Sequence, residues 1–312
     1  MLFWFFKAFA KIRFRGFRLN VYPICLQRFL GYEENEMKKV LVLQHGDLGA
    51  CDWSTFGGLV SARSGKSVLR VPVDDDFELT DEMRAALIAQ QIDGAVLPDV
   101  AFADLGLIVS DMDSTLITIE CVDEIAAGVG LKDEVAAITE QSMRGELDFE
   151  QSLRKRVALL AGLDERVLEE VYENVLQLSP GAEFLLEACK RNDVKFMLVS
   201  GGFTFFTERL QRRLGLDFHF ANVLEVENGK LTGRLKGRII DAQAKTDLLR
   251  EYRERLGLAP WQVVAMGDGA NDIPMIREAG FGIAYRAKPK TEANADACVR
   301  FGGLERIRGW FA

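Results

Sequence analysis

The chain has 312 residues, long enough to bury a sizeable hydrophobic core and longer than a typical domain of about 100–150 residues, so one domain with an insertion or two domains are implied. Its 39 basic residues against 47 acidic ones give a formal charge of −8 and a pI near 5.1, which excludes a nucleic-acid scaffold that would need a net basic face. Five cysteines without a CxxC pair or zinc-like spacing fit a reduced cytoplasmic interior, and with only two histidines any proton or metal chemistry falls to carboxylates.

Residues 1–36 differ in composition from everything after them. Aromatic residues there are interrupted by Lys7, Lys11, Arg13, Arg15, Arg18 and Arg28, and the longest apolar run, Met1 to Phe6, is too short for a membrane span or a signal-peptide core. The segment reads as a basic aromatic extension ahead of "MKKVLVLQ", which looks like an ordinary start at Met37; a membrane-surface helix is the less favoured reading. No stable membrane anchoring is expected.

From residue 37 to 104 the pattern predicts a small separate α/β domain. "KKVLVLQH", "SVLRVPV" and "DGAVLPDV" have strand character, and "TDEMRAALIAQQ" opens with a Thr cap and keeps helical spacing. No catalytic constellation is visible in it, so an appendage without its own chemistry is expected, with small-molecule sensing or homodimer formation as the alternatives.

From residue 105 to 312 apolar runs alternate with helical stretches, the signature of a parallel α/β sheet of Rossmann-like type. The runs are "LGLIVSD", "VKFMLVSGG", "VVAMGDG" and "FGIAY", and each ends in polar or glycine residues. In open parallel sheets ligands bind beyond the carboxyl ends of the strands. Asp111 and Asp113 follow the first run, Ser200, Gly201 and Gly202 end the second, and Asp268, Asn271 and Asp272 follow the third. Two carboxylates as close as Asp111 and Asp113 resist joint ionisation unless a cation lies between them or one keeps its proton. With Lys245 ahead of "TDLLREYRERL", the set is a hard-cation site of the kind Mg²⁺ prefers, few carboxylates with waters and a substrate phosphate completing the shell.

Between Asp113 and Ser200 lies an insert, roughly residues 120–179, in which "VDEIAAGVG", "KDEVAAITEQSMRG", "FEQSLRKRVALLAG" and "DERVLEEVYENVL" carry helical periodicity. It predicts an all-helical cap able to exclude water from the site and carry specificity. Strand alternation around Asn228 and Gly229 predicts a β hairpin at the edge of the core.

"DMDST", "SGGF", Lys245 and "GDGAND", in this order, resemble the four motifs of the haloacid dehalogenase superfamily of phosphohydrolases, over about residues 106–311. Within it, "DMDSTLITIECVDEIA" and "GELDFEQSLRKRV" are similar to the phosphoserine phosphatase family. The resemblance implies that Asp111 is a nucleophile forming an aspartyl-phosphate and that Asp113 alternates between acid and base. It implies that Asp111, the backbone carbonyl of Asp113 and Asp268 bind Mg²⁺. Ser200, Gly201, Lys245 and Asn271 would hold the phosphoryl group, and Asp272 would support Lys245 or a metal-bound water. In the cap, Arg156 would take the carboxylate of O-phosphoserine and Glu120 its ammonium, with Met143 and Phe149 as apolar walls. Transfer of the phosphoryl group to another hydroxy amino acid, hydrolysis of another small phosphomonoester, and a regulatory binding protein on the same fold are the competing readings. Intact Asp111, Asp113, Lys245 and Asp268 weigh against the last.

Overall fold

Seven strands form the larger sheet, and the reason they do so is visible in their composition. In chain order they are β4 (Leu107–Ser110), β5 (Lys195–Phe203), β6 (Phe218–Glu227), β7 (Lys230–Lys236), β8 (Val263–Gly267), β9 (Phe281–Tyr285) and β10 (Ala297–Val299). They follow three earlier strands, β1 (Lys39–Gln44), β2 (Val68–Val73) and β3 (Asp93–Pro98), which form a second sheet. The structure is a computed structural model and describes residues 37–312 apart from 62–64; the extension 1–36 lies outside the described residues. Every residue of β4, β8 and β9 is buried, as expected of central strands covered on both faces.

The sheet order is β10-β9-β8-β4-β5-β6-β7, with every pairing parallel except the β6–β7 hairpin. Strand β4 is therefore central. The chain adds β5 and β6 on one side of it and returns to the other side with β8, which makes β4 the topological switch point where such sheets place their ligands. Register then fixes the site. Ser110 lies opposite Leu198 on one side and Met266 on the other, so Asp111, Ser200 and Asp268 emerge together at one edge.

The insert after β4 is helical, with α2 (Cys121–Gly128), α3 (Lys132–Met143), α4 (Phe149–Ala158) and α5 (Arg166–Asn174); α1 (Asp81–Ala89) belongs to the earlier segment. Asp148 and Gln151 form a reciprocal capping box that fixes where α4 begins. The cap joins the core through two neighbouring connections, in which the Thr118 amide donates to the Gln177 carbonyl and the Ser179 amide to the Leu116 carbonyl. On its other side it is bonded to the β6–β7 hairpin. Three backbone bonds cross this seam: the Gly162 amide donates to the Leu231 carbonyl, the Leu231 amide to the Leu163 carbonyl, and the Glu165 amide to the Gly229 carbonyl. Gly233 sits against the cap too, since a Cβ there would lie 2.8 Å from that of Ala161.

Five more helices complete the core: α6 (Ala182–Arg191), α7 (Thr204–Leu214), α8 (Ala242–Arg255), α9 (Ile273–Glu278) and the short α10 (Pro289–Glu292), followed by α11 (Glu305–Gly309) at the C-terminus. Helix α8 starts earlier than the sequence suggests. Asp241 accepts the amide of Ala244 as an N-cap, so Lys245 lies inside the first turn rather than ahead of the helix.

The small sheet, β2-β1-β3, is antiparallel and has its own apolar cluster around Leu41, Leu43, Phe56 and Leu87, with α1 capped by Thr80 as its sequence predicts. It does not stand apart. Buried Asp93 accepts the amides of Arg300 and Phe301, Gln44 donates to the Arg306 carbonyl, and Arg70 donates to that of Trp310. Residues 38–312 form one compact unit.

Candidate active site

Strand β4 does not run into a regular helix. Residues Met112–Leu116 form one wide turn, closed by the Ile117 amide on the Met112 carbonyl, in which Asp113 and Ser114 keep non-helical dihedrals. That turn points consecutive side chains in different directions. Asp111 at its start is buried; its Oδ1 accepts the Met112 amide at 2.7 Å and contacts Lys245 Nζ at 2.7 Å. Among the contacts described, Oδ2 has no such partner and is the oxygen left for a ligand.

Lys245 is 1% exposed and lies between two carboxylates, Asp111 and Asp272, at 2.7 Å from each. Burial works against its charge, but the two carboxylates outweigh burial and hold the ammonium above its ordinary range. Asp272 is also fixed from the other side, where its Oδ2 accepts the Gly269 amide at 3.0 Å. Oxygens of Asp111, Asp268 and Asp272 lie within 4.8 Å of one another. Burial, and after it the Asp272 charge, pushes the Asp268 carboxyl up to about 6 and raises that of Asp111 well above the usual carboxylate range. The Lys245 ammonium does not balance the buried carboxylates of Asp111 and Asp272 together with half-buried Asp268, on which Lys288 also acts. The donor set is all oxygen, so a hard divalent cation fits both its chemistry and its missing charge.

Asp113 is held differently. Its Oδ1 accepts the Cys121 amide at 2.9 Å and its Oδ2 the Ser200 hydroxyl at 3.3 Å, and it stands outside the acidic trio. Its side chain is thereby aimed at the cleft, and burial raises its carboxyl above the usual range. Ser200 in turn accepts the Gly202 amide at 2.8 Å. Both glycines of "SGGF" are there for close approach. A Cβ on Gly202 would lie 2.8 Å from Asp113 Oδ2, and one on Gly201 would lie 2.9 Å from the ring of Phe149, where the cap closes on the core.

The cleft between core and cap has a volume of about 470 Å³. Asp111, Asp113, Asp268 and Asn271 line its floor, and Glu120, Phe149 and Arg156 line the cap side. Phe149, Ser152 and Arg156 follow helical spacing on α4 and so share one face toward it. Arg156 is half-buried, its Nε has no hydrogen-bond partner among the described residues, and burial lowers its pKa against the pull of Asp123, Glu120 and Asp113. A guanidinium with a buried nitrogen left without a partner, on a residue that lines the cleft, favours an anion there. Glu120 lines the cleft with its side chain partly open to solvent; it accepts the Ser114 hydroxyl at 2.7 Å, and its carboxyl is pushed up to about 7, chiefly by desolvation within the cleft and then by the Asp113 charge.

Of the residues singled out in the sequence, all but Met143 can be placed here; Met143 ends α3, and its side chain lies outside the described ones. Sequence reasoning missed Asp123, Ser152 and Lys288, which also line the cleft. Lys288 had a signal, since it lies three residues beyond the end of β9 at the same sheet edge, and its amide donates to the Asp268 carbonyl. Asp123 and Ser152 had none beyond helical spacing from Glu120 and Phe149.

The fold and this arrangement of carboxylates, lysine and glycines define a haloacid dehalogenase-like hydrolase, and the profile of that family matches residues 108–277. Phosphoserine phosphatase of Polaromonas sp. strain JS666 is 52% identical over 215 residues, which cover 67% of this chain and 91% of that protein. The chain belongs to the phosphoserine phosphatase family. Among solved structures, an unliganded probable phosphoserine phosphatase from Vibrio cholerae superimposes with a TM-score of 0.75 at 37% identity, covering 93% of this chain and 91% of that one. A phospho-aspartyl intermediate analogue of phosphoserine phosphatase superimposes with a TM-score of 0.63 at 40% identity, covering 67% of this chain and 99% of the other.

Proposed function

We propose that this protein is a cytoplasmic, Mg²⁺-dependent phosphoserine phosphatase that releases serine and phosphate from O-phosphoserine, the last step of serine biosynthesis. The observation that carries the reading is the two-ended cleft. One end is lined by Asp111, Asp113 and Asp268, with Lys245 buried behind Asp111, and the other by Glu120 and by Arg156, whose Nε has no hydrogen-bond partner among the described residues.

Asp111 Oδ2 attacks phosphorus, the bond from phosphorus to the serine oxygen breaks, and that oxygen takes the proton of Asp113. Water then attacks the phosphorus of the aspartyl-phosphate and gives a proton to the Asp113 carboxylate. The bond to Asp111 breaks, phosphate leaves, and both carboxyl groups are restored. Lys245, Ser200 and the amides near Gly201 balance the charge of the transferring group, and Asn271 contacts it from the floor. Asp111, the Asp113 carbonyl and Asp268 would hold Mg²⁺, with Asp272 keeping Lys245 in place. When bound, Mg²⁺ neutralises phosphoryl charge and orients the group. Arg156 binds the substrate carboxylate, Glu120 its ammonium, and Phe149 walls the site, which makes residues 120–179 the specificity-bearing cap.

Phosphate release from a panel of phosphorylated metabolites, with Mg²⁺ and with excess chelator, tests the reading. Phosphoserine should be the preferred substrate by kcat/KM, chelation should silence the enzyme, and added Mg²⁺ should restore it. A preference for a phosphomonoester without an amino acid group, or full activity in chelator, refutes it.

A further inference from the structure

Ser114 takes up a backbone conformation that side-chain-bearing residues avoid, with φ at 55°. Asn228, with a similar φ, sits in the hairpin turn, where Asn is favoured; Ser114 sits instead in the turn that follows β4, beside the cleft. The conformation is held by the Ser114 amide, which donates to the Ile119 carbonyl at 3.2 Å, and it directs the hydroxyl to Glu120 Oε1 at 2.7 Å. Glu120 immediately precedes α2, yet its carboxylate does not cap that helix. The two ends of the loop are thus joined residue by residue, Asp113 to the amide of Cys121 and Ser114 to the side chain of Glu120. With Oε1 engaged by the hydroxyl, Oε2 is left to meet a cation in the cleft.

We infer that Ser114 is a positioning residue that sets the Glu120 carboxylate for the substrate ammonium, and that the left-handed turn is the device by which the chain selects amino-bearing phosphomonoesters. The inference rests on the reading of Glu120 as the ammonium partner. A hydroxyl bonded to a carboxylate fixes the rotamer of a long, otherwise mobile side chain, which lowers the cost of ordering it when substrate binds.

The test compares phosphoserine with its deamino analogue, 3-phosphooxypropanoate, in the wild type and in Ser114→Ala, Ser114→Gly, Ser114→Thr and Glu120→Gln. Ser114→Ala removes the hydroxyl and keeps the backbone demand, whereas Ser114→Gly removes the hydroxyl and relieves that demand. Both should lose about tenfold of the preference for phosphoserine, a change of about 1.4 kcal/mol, mainly through KM. Ser114→Thr keeps the hydroxyl and should retain the preference even where its branched side chain lowers Tm. If the glycine variant keeps the wild-type preference, the position serves the backbone alone and the inference fails. Equal losses on both substrates in the alanine variant also overturn it, because they would place the effect at Asp113. Should Glu120→Gln leave the preference intact, the reading of Glu120 falls and takes this one with it; if Glu120→Gln abolishes the preference while the Ser114 variants keep it, only the role of Ser114 is refuted.

Discussion

Replacing Lys245 by Met removes the one ammonium bonded to Asp111 and Asp272 and keeps most of the side chain's length and apolar volume. Lys245 is 1% exposed, and the side chains of Asp111 and Asp272 are 7% and 0% exposed, so water cannot take over its role. Carboxylate oxygens of Asp111 and Asp272 come within 4.8 Å, and at an effective dielectric near 20 their uncompensated repulsion is about 3.5 kcal/mol. That agrees with the roughly 3–5 kcal/mol typical of stranding a buried charge. In thermal unfolding of metal-free protein, Tm should therefore fall by about 5–9 °C at neutral pH, since a unit spanning residues 38–312 has a large unfolding entropy. The variant should relieve the repulsion by keeping one carboxyl protonated, so that its folded pKa rises above the unfolded value near 4. A folded state that binds the extra proton loses stability as pH rises, so the deficit should be small near pH 4 and grow toward pH 7. Mg²⁺ should recover part of it, while kcat stays at least a hundredfold down because a phosphoryl-binding charge is missing. A Tm within about 2 °C of wild type at pH 7, or a deficit that ignores pH, would refute this account of the trio.

Asp111→Asn should abolish turnover with the fold retained, and acid quenching after reaction with labelled substrate should trap no phosphoenzyme; near-normal turnover would sink the mechanism. Arg156→Ala should lower kcat/KM for phosphoserine by about ten- to hundredfold and shrink its advantage over phosphoethanolamine, which lacks the carboxylate; equal proportional losses would assign Arg156 to the phosphate or to cap structure. Because the Glu120 carboxyl is pushed up to about 7, it is ionised above that pH and neutral below. The preference for phosphoserine over its deamino analogue should decline on acidification through about pH 7, and Glu120→Gln should flatten that profile; an unchanged slope in the mutant would assign the titration elsewhere.

Much of this fold is legible because parallel strands advertise themselves: β4, β8 and β9 are wholly buried and nearly all apolar, and the polar residues that follow β4 and β8 are in the site. Asp111, Asp268 and Ser200 could be brought together by that rule alone. Arg156 and Phe149 could not, since helical spacing makes a cleft-facing residue look like any other on the same face, and only the motif resemblance singled them out. Two features were beyond sequence reasoning for a more basic reason. The left-handed Ser114 has none of the usual Gly or Asn marking, and the fastening of the small sheet to the C-terminal segment depends on Asp93 reaching residues 207 and 208 positions away. Long-range pairings of that kind leave no local pattern.

The seam between the cap and the β6–β7 hairpin changes what sort of movement the enzyme can make. A flap attached along one side swings open like a page, but this one is fastened along two: at the paired connections near Thr118 and Ser179, and at the backbone bonds from Gly162, Leu231 and Glu165 to their partners. Lifting it clear would sever the three bonds of the hairpin seam, at roughly 3 kcal/mol in all. Rocking about the line that joins the two fastenings severs none. The movement that both fastenings permit is therefore a tilt about that line, which would widen or narrow the gap between Phe149 and Gly201 while the hairpin stays with the core sheet through the pairing of β6 with β5.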